Sequence, residues 1–227
     1  MIRLRNVNFK YDKVILDNVS LDINKNKITF IIGTNGSGKT TLANIISGLL
    51  FVQSGEIYLD NLKLDKSVNS KEIRKKIGIL FQNPSNQIIF SKVYDDIKFT
   101  LENMKVDKDL IPKIINDSLK KVGMIDYIDS NPYNLSGGEK QRIAVASQLA
   151  LKLDYLIFDE ATSMLDINGK KDIYKLLGDL KKNMGIIFIT NNMNELIYAD
   201  DIVIIDNHNL YKYTLLDIIK DNDILTK

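Results

Sequence analysis

The chain has 227 residues, a formal net charge of +2, 44% hydrophobic residues and no cysteine. This balance is typical of a globular protein with a sizeable core, and the lack of cysteine excludes disulfides, zinc thiolates and thiol nucleophiles. The near-neutral charge argues against nucleic-acid binding, and no apolar run reaches the ~18 residues of a spanning helix. We therefore expect no direct membrane insertion, so that any membrane role comes through a partner.

The order of the predicted elements indicates an α/β protein. Alternating or continuous apolar runs predict strands at residues 2–9, 19–23, 28–32, 55–59, 77–81, 155–158, 185–190 and 201–205. Helical spacing predicts helices at residues 40–49, 93–105, 111–122, 138–151 and 168–182. Strands that alternate with helices favour a mostly parallel sheet with helices on its faces.

The stretch 83–150 is predominantly helical and interrupts the strand pattern. It predicts a helical sub-domain inserted into one domain that spans 1–227, with a core made of 1–82 and 151–227.

A glycine-rich segment follows the predicted strand at 28–32. Residues 33–40 read GTNGSGKT and match the P-loop pattern, which binds phosphate through backbone N–H groups at a helix N-terminus. The pattern predicts that Lys39 reaches the β- and γ-phosphates of ATP, Thr40 ligates Mg²⁺ and Thr41 bonds the α-phosphate. The alternative is a glycine-rich turn that happens to carry a lysine. The candidate nucleotide-binding residues are Asn35, Gly36, Ser37, Gly38, Lys39, Thr40 and Thr41.

Two carboxylates end the apolar run at residues 153–160, which reads LDYLIFDE. Asp159 is the candidate Mg²⁺ ligand, directly or through water, and Glu160 is the candidate base that polarises the attacking water. A strand capped by solvated acids is the alternative.

A second capped helix start lies at residues 135–142, which read LSGGEKQR. Ser136 is placed to cap the helix, and Gly137 and Gly138 expose its first N–H groups, which makes a second candidate phosphate-binding end. On local grounds a plain capped helix fits equally well. The octapeptide resembles the signature motif of the ATP-binding-cassette (ABC) ATPases, and its position between the P-loop and the acidic strand is that of the family.

The resemblance covers nearly the whole chain and implies a fold and an assembly. The implied fold is the P-loop NTPase fold of ABC ATPases, with a mostly parallel sheet, an inserted helical sub-domain and an antiparallel β edge. In that family the signature of one subunit closes on the ATP that is held by the P-loop of another. The resemblance therefore implies a second ATP-binding subunit, in a homodimer or a heterodimer.

Further roles come from the resemblance alone. Tyr11 lies where the family stacks an aromatic ring on adenine, although an ordinary edge aromatic is the alternative. Gln82 lies where the family places the glutamine that senses Mg²⁺ and the attacking water. The loop 163–166 resembles the one that touches the opposite subunit, and Asp166 is either part of that contact, a helix cap, or both.

A narrower resemblance starts at Gln82. Residues 81–90, FQNPSNQIIF, followed by VYDDI at 93–97, are similar to the ATPases of energy-coupling-factor (ECF) and related cobalt and nickel importers, with Ser85 in place of the usual aspartate. The resemblance implies a peripheral subunit at the cytoplasmic face of the cell membrane. Its partners there are an integral membrane T component and an S component that selects a vitamin or metal ion. Segment 82–97 is predicted to face the membrane partner.

The chain departs from the family pattern at Asn191. Residues 189–193 read ITNNM, whereas the family has a histidine at the position of Asn191, thought to contact the γ-phosphate and position Glu160. An asparagine donates hydrogen bonds but carries no charge. The leading interpretation remains a transport ATPase. One alternative is a catalytically weak ATP-binding partner of a competent paralogue. Another is a soluble ABC protein without a transport role, although such proteins usually carry two cassettes or a long coiled coil.

Overall fold

Two β-sheets organise the fold of the chain, whose structure is a computed structural model that describes residues 1–65, 69–163 and 165–220. The described strands are β1 (Ile2–Lys10), β2 (Val14–Ile23), β3 (Ile28–Gly33), β4 (Ser54–Leu59), β5 (Leu62–Lys63), β6 (Ile77–Leu80), β7 (Tyr155–Asp159), β8 (Gly185–Ile189), β9 (Asp201–Asp206) and β10 (Asn209–Thr214). The described helices are α1 (Lys39–Ile46), α2 (Asn69–Arg74), α3 (Val93–Asn103), α4 (Ile111–Lys121), α5 (Gly137–Leu149), α6 (Ile167–Leu180) and α7 (Leu215–Lys220).

The larger sheet has the order β10-β9-β3-β8-β7-β6 and is parallel except for β10, which pairs antiparallel with β9. The smaller sheet, β2-β1-β4-β5, is antiparallel throughout. A mostly parallel sheet with an antiparallel β edge was predicted, and both are confirmed.

The central strands are apolar on both faces because both faces of the larger sheet are covered. Alternate residues of β3, β7 and β8 form an aromatic layer in which the Phe188 ring lies 4.9 Å from Phe30 and 5.5 Å from Phe158. The intervening residues, such as Ile157 and Ile187, face the opposite way and pack in the second core with α1 and the antiparallel sheet. Burial on both faces holds β3, β7 and β8 in place, and with them the positions of their carboxyl ends.

In the chain, α3, α4 and α5 lie between β6 and β7. These two strands are neighbours in the sheet. Their apolar faces join the aromatic layer in one core, with Ile97, Leu119 and Ile143 all buried. The division into a core and a helical sub-domain stays a prediction, and residues 66–68, 164 and 221–227 of the predicted core lie outside the described residues. Along the described part of the chain, no helix is both long and apolar enough to span a bilayer.

Several elements differ from the predictions. Strand β2 begins at Val14 rather than at residue 19, because Asn18 adopts a φ of 48° and shifts the register with β1 without ending the pairing. Strand β10 was missed because it is a polar edge strand. Its hairpin with β9 turns through Asn207 and His208, whose φ values of 46° and 67° suit a tight turn between twisted strands. The short elements β5, α2 and α7 were also missed.

Candidate active site

Three loops meet at the carboxyl ends of adjacent parallel strands. Strands β3, β8 and β7 are neighbours, so the segments that follow Gly33, Ile189 and Asp159 emerge at the same edge of the sheet. Ligand sites in open α/β sheets lie outside these carboxyl ends. The sheet order therefore brings the P-loop, Asn191 and the acidic pair together, although they are far apart in sequence.

The P-loop wraps a pocket of about 400 Å³. Gly38, at the N-cap of α1, has a φ of 104°, and a Cβ there would lie 2.5 Å from the Ile15 side chain, so only glycine fits. The Ser37 N–H donates to Thr34 O, which folds the loop back, and the Ser37 side chain does not line the pocket. The residues that line the pocket are Ile15, Asn35, Gly36, Gly38, Lys39, Thr40, Thr41, Glu160 and Asn191.

Lys39 lies within the loop rather than in solvent. Its Nζ donates to the carbonyl oxygens of Gly33 and Thr34, at 2.9 Å each, and the residue is only 6% exposed. Burial lowers the pKa of Lys39, while the charges of Glu160 and Asp159 oppose that effect. The pocket thus holds a positive group that carbonyl dipoles and two nearby carboxylates stabilise.

Asp159 contacts the pocket residue Thr40 from outside the pocket lining. The Thr40 hydroxyl donates to Asp159 Oδ1 at 3.2 Å, and Asp159 is 6% exposed. Burial raises the pKa of Asp159, and the hydrogen bond from Thr40 partly offsets the rise. Two adjacent oxygen ligands suit Mg²⁺, which typically takes one or two protein ligands and completes its shell with phosphate and water. The described residues contain no group of three or more His, Cys, Asp or Glu placed to hold a metal by themselves.

Glu160 has a left-handed backbone, with a φ of 51°. Its N–H donates to Ile189 O at 3.0 Å and its carbonyl accepts from the Ser163 N–H at 3.1 Å, so neighbouring segments hold the unusual conformation in place. Such outliers persist where the surroundings over-determine them, which is common at functional sites. The turn directs the Glu160 side chain to the P-loop pocket instead of continuing the strand.

Asn191 bridges the acidic strand end and the P-loop. Its Nδ2 donates to Glu160 Oε1 and to Asn35 Oδ1, each at 2.9 Å. Both N–H bonds of the amide are therefore engaged. Asn191, predicted to stand where the family has a histidine, thus contacts the candidate base directly.

Gln82 and Tyr11 lie outside the lining of this pocket, as Ser37 and Asp159 do. Gln82, on the loop after β6, donates from Nε2 to Ser163 Oγ at 3.4 Å. Tyr11 is 56% exposed, with its ring edge-on to Phe9 at 4.9 Å. Their predicted contacts with Mg²⁺ and adenine stay predictions.

The signature forms a second pocket, also of about 400 Å³. The Ser136 hydroxyl accepts from the Glu139 N–H, while the Glu139 carboxylate accepts from the Ser136 N–H and hydroxyl, a reciprocal capping box. Hydrogen bonds from the Ser136 hydroxyl, the Ser136 N–H and the Tyr127 hydroxyl lower the pKa of Glu139. Gly137 and Gly138 line the pocket beside Ser136, and among the described residues none lines both this pocket and the P-loop pocket.

Asp166 lies on the far wall of the signature pocket. Its Oδ1 accepts from the Gly169 N–H at 2.8 Å, so Asp166 caps α6. The predicted helix cap is therefore confirmed, and the contact with an opposite subunit stays a prediction. Met164, within the loop 163–166, lies outside the described residues.

Some residues around the site were not found from the sequence. Ile15 lines the P-loop pocket from the missed first half of β2. A further pocket of about 310 Å³ lies behind Glu160 and Asn191, and Thr162, Lys170 and Glu195 contribute to its walls. The sequence shows Glu195 only as one glutamate a few residues after the apolar strand β8. A single carboxylate belongs to no periodic pattern, so nothing in the sequence marks it as part of the site.

Comparisons with known proteins identify the family of the chain. The family model described as ABC transporter matches residues 16–163. The energy-coupling factor transporter ATP-binding protein EcfA1 of Mycoplasma mobile is 47% identical over 210 residues, which cover 90% of this chain and 76% of the relative. EcfA1 of Fusobacterium nucleatum is 44% identical over 209 residues, which cover 91% of this chain and 79% of that protein.

Solved structures show the same fold. The structure of cbiO1 from Clostridium perfringens, described as part of the ABC transporter complex cbiONQ, has a TM-score of 0.90 at 31% identity and covers 99% of this chain and 92% of that chain. A post-hydrolysis state of a dimeric ATP-binding cassette bound to ADP and Pi has a TM-score of 0.82 at 28% identity, with coverages of 95% and 99%. The chain therefore belongs to the ABC transporter family as an ATP-hydrolysing subunit, and it is similar to the ECF transporter ATP-binding proteins.

Proposed function

We propose that this chain binds and hydrolyses ATP at an interface between two ATP-binding subunits and thereby drives uptake of a vitamin or metal ion by an ECF-like importer. The observation that carries the proposal is that the P-loop and the helix start at Ser136 line separate pockets, which share no lining residue among the described residues. A helix N-terminus that does not face the chain's own P-loop is available to the nucleotide of a second subunit. The names of its relatives support the importer class.

The P-loop half-site binds the nucleotide phosphates. The N–H groups of residues 35–41 and the Lys39 ammonium cradle the β- and γ-phosphates, and the Thr41 hydroxyl bonds the α-phosphate. Thr40 and Asp159 would hold Mg²⁺, and Gln82 would sense the ion and the attacking water. Such an ion would neutralise charge on the phosphates.

Glu160 polarises the water that attacks the γ-phosphate. Its side chain is directed to the pocket by the left-handed backbone and contacted by the Asn191 amide, so its orientation is fixed before nucleotide arrives. An oriented base removes part of the ordering cost from the reaction step. Asn191 releases an N–H toward the γ-phosphate by giving up its bond to Asn35.

The signature half-site completes the site of the second subunit. The free N–H groups at Gly137 and Gly138, with the Ser136 hydroxyl, stabilise the γ-phosphate of the partner's ATP. Asp166 contacts the partner across the same interface, while Tyr11 stacks on the adenine of its own subunit. The second subunit is either another copy or a paralogue.

The membrane-facing surface is the apolar tip of segment 82–97. Ile89 is 66% exposed, and the Phe90 ring packs on the ring of the exposed Phe99 at 5.1 Å. The tip is rigid in construction because Asp96 Oδ1 accepts the N–H groups of both Ile89 and Phe90, at 2.8 and 3.1 Å. Exposed apolar groups on an ordered loop mark a docking surface. The T component covers it, at the cytoplasmic face of the membrane, and the S component binds the transported compound.

Gln87 is engaged within the chain rather than offered to a partner. Its Nε2 donates to Ile79 O and its Oε1 accepts from the Phe81 N–H, at 3.0 and 3.1 Å, along the end of β6. A substitution at Gln87 would therefore disturb the sheet edge, and the membrane surface is better tested at Ile89.

Mass spectrometry of chains that copurify with the tagged protein from membranes tests the proposal. We expect a second ATP-binding subunit and integral membrane chains, and Ile89→Asp should lose the membrane chains while keeping ATP binding. Leu110→Asp is the matched control, because Leu110 is also exposed but lies beyond the opposite end of α3. Recovery of the same membrane chains with Ile89→Asp would contradict the proposed surface.

A second candidate is a catalytically weak subunit that binds ATP while a paralogue supplies the more active site. The uncharged Asn191, at the position where the resemblance implies a histidine, favours this second candidate. A complex in which only this chain carries Glu160→Gln separates the two candidates. A large loss of turnover supports the leading proposal, and nearly normal turnover supports the weak-subunit alternative.

A further inference from the structure

A buried carboxylate lies behind the candidate active site. Glu195, in the 3₁₀ turn Met193–Tyr198, is 4% exposed and does not line the P-loop pocket. A buried charge is costly unless several donors satisfy it. Side chains of Thr162, Lys170, Thr190 and Asn192 donate hydrogen bonds to this one carboxylate.

Two of these donors flank Asn191. The Thr190 hydroxyl donates to Glu195 Oε2 at 2.5 Å, and Asn192 Nδ2 donates to Glu195 Oε1 at 3.3 Å. The Asn192 N–H also donates to Thr190 Oγ1 at 3.0 Å, which closes a small ring of bonds around the backbone of Asn191. The carboxylate thus holds the loop on both sides of Asn191, whose amide donates to Asn35 and Glu160.

The remaining donors come from the segment that follows Glu160. The Thr162 hydroxyl donates to Glu195 Oε1 at 3.4 Å, and Lys170, on α6, forms an ion pair with the same oxygen at 3.3 Å. One carboxylate therefore ties the loop that carries Asn191 to the chain just beyond Glu160.

We propose that Glu195 is a positioning residue that sets the distance between Asn191 and Glu160 and so controls the rate of hydrolysis without taking part in nucleotide binding. The inference rests on the proposed roles of those two residues. Asn191 and Glu160 meet at 2.9 Å, and the segments that carry both are bonded to Glu195. A shift of the loop would lengthen that contact first.

The test is a single-turnover measurement on the full chain assembled with its partner subunit at saturating Mg-ATP. Glu195→Gln keeps the shape of the side chain but replaces one acceptor oxygen with a donor group that opposes the Thr190 hydroxyl or the Lys170 ammonium. We expect hydrolysis to slow by roughly 10- to 100-fold, the range for a displaced catalytic group, with little change in the affinity for ATP.

Asp201 provides the matched control. It is another carboxylate paired with lysines, Lys27 and Lys212, and is 2% exposed, but it lies at the start of β9, at the opposite end of the sheet from the P-loop. Asp201→Asn should lower the melting temperature and leave the single-turnover rate at saturating ATP unchanged. Equal rates for Glu195→Gln and Asp201→Asn would show that Glu195 only stabilises the fold.

A double-mutant cycle asks whether the effect passes through Asn191. With Asn191→Ala the amide that Glu195 positions is gone, so adding Glu195→Gln should change the rate by no more than about twofold. A full multiplicative loss in the double variant would overturn the proposal.

Two further variants cover the case in which Glu195→Gln folds poorly. Thr190→Val removes the 2.5 Å bond and should slow hydrolysis, while Thr190→Ser keeps the hydroxyl and should restore it. A normal rate in Thr190→Val would contradict the proposal. The parent roles are checked separately: if Lys39→Ala and Glu160→Gln abolish hydrolysis but Glu195→Gln does not slow it, only the positioning role fails.

Discussion

The amide nitrogen of Asn191 lies 2.9 Å from the Glu160 carboxylate and equally close to Asn35 Oδ1. A carboxylate only accepts hydrogen bonds, so the amide must present its nitrogen to Glu160. The contact gives this chain a neutral donor at the position where the resemblance implies a histidine, and the Asn191 amide reaches the candidate base directly.

Replacing Asn191 with histidine should accelerate hydrolysis. A neutral hydrogen bond contributes about 0.5–1.5 kcal/mol, against about 1.5–3 kcal/mol for one to a charged group, and a gain of 1–2 kcal/mol in the transition state corresponds to roughly 5–30-fold in rate. Asn191→His should raise the single-turnover rate by about that factor with little change in ATP affinity, as measured by rapid mixing. The matched control is Asn194→His, at an exposed position of the 3₁₀ turn that follows Asn191, which should leave the rate unchanged. A rate in Asn191→His no higher than in the control would mean that the site is adapted to the amide.

Removal of the Lys39 ammonium should weaken nucleotide binding and stop turnover. The Lys39 Nζ lies 2.9 Å from the loop carbonyl oxygens of Gly33 and Thr34, and a charged hydrogen bond of about 1.5–3 kcal/mol corresponds to roughly 10–150-fold in affinity. Lys39→Ala should show that loss in calorimetric titration with Mg-ATP and no measurable hydrolysis. Lys171→Ala, at an exposed lysine of α6, should behave as wild type. Equal ATPase rates for Lys39→Ala and wild type would refute the P-loop assignment.

Asp159 should destabilise the nucleotide-free chain. Burial raises the pKa of Asp159 above that of an unfolded aspartate, so the unfolded state loses this proton first as the pH rises. The resulting penalty is absent well below the ordinary aspartate pKa and fully present above the raised one. Asp159→Asn keeps an acceptor for Thr40 and should increase the free energy of unfolding by about 1 kcal/mol at neutral pH, with a smaller gain in acid.

The measurement for Asp159 is urea unfolding with a chelator present, at neutral and at mildly acidic pH. The same variant should bind Mg-ATP more weakly, because the carboxylate ligand is gone. A variant that is less stable than wild type at neutral pH would show that the Asp159 charge stabilises the empty pocket.

The central sheet could be predicted from the sequence because its strands are buried on both faces. Strands β3, β7 and β8 are unbroken apolar runs, and the structure places them within a residue or two of the prediction. The polar edge strand β10 lacks that signal, since its stability comes from pairing with β9. The local sequence pattern predicts which strands are buried, but it predicts pairing at the edge of a sheet poorly.

The candidate site was predictable where a motif fixes the backbone. The P-loop and Glu160 line one pocket, Asp159 contacts it through Thr40, and Asn191 joins them because β8 lies between β3 and β7. The Gln87 side chain looked like part of a docking surface, yet it completes the β6 edge. Glu195 could not be found because two of its four donors, Thr162 and Lys170, are distant in sequence and reach it only in the fold.

The most direct test of the account is whether ATP joins two ATP-binding subunits. Glu160→Gln should slow hydrolysis by roughly 10²–10⁴, as expected for the loss of a general base, and so trap the ATP-bound state. Light scattering coupled to size-exclusion chromatography should then give the mass of a two-subunit assembly in Mg-ATP but not in ADP. The second subunit is another copy or the copurified paralogue. Adding Ser136→Arg, which blocks the signature pocket, should abolish the two-subunit assembly. A Glu160→Gln chain that stays monomeric in Mg-ATP with its partner present, or wild-type hydrolysis by an isolated monomer, would contradict the two-subunit site.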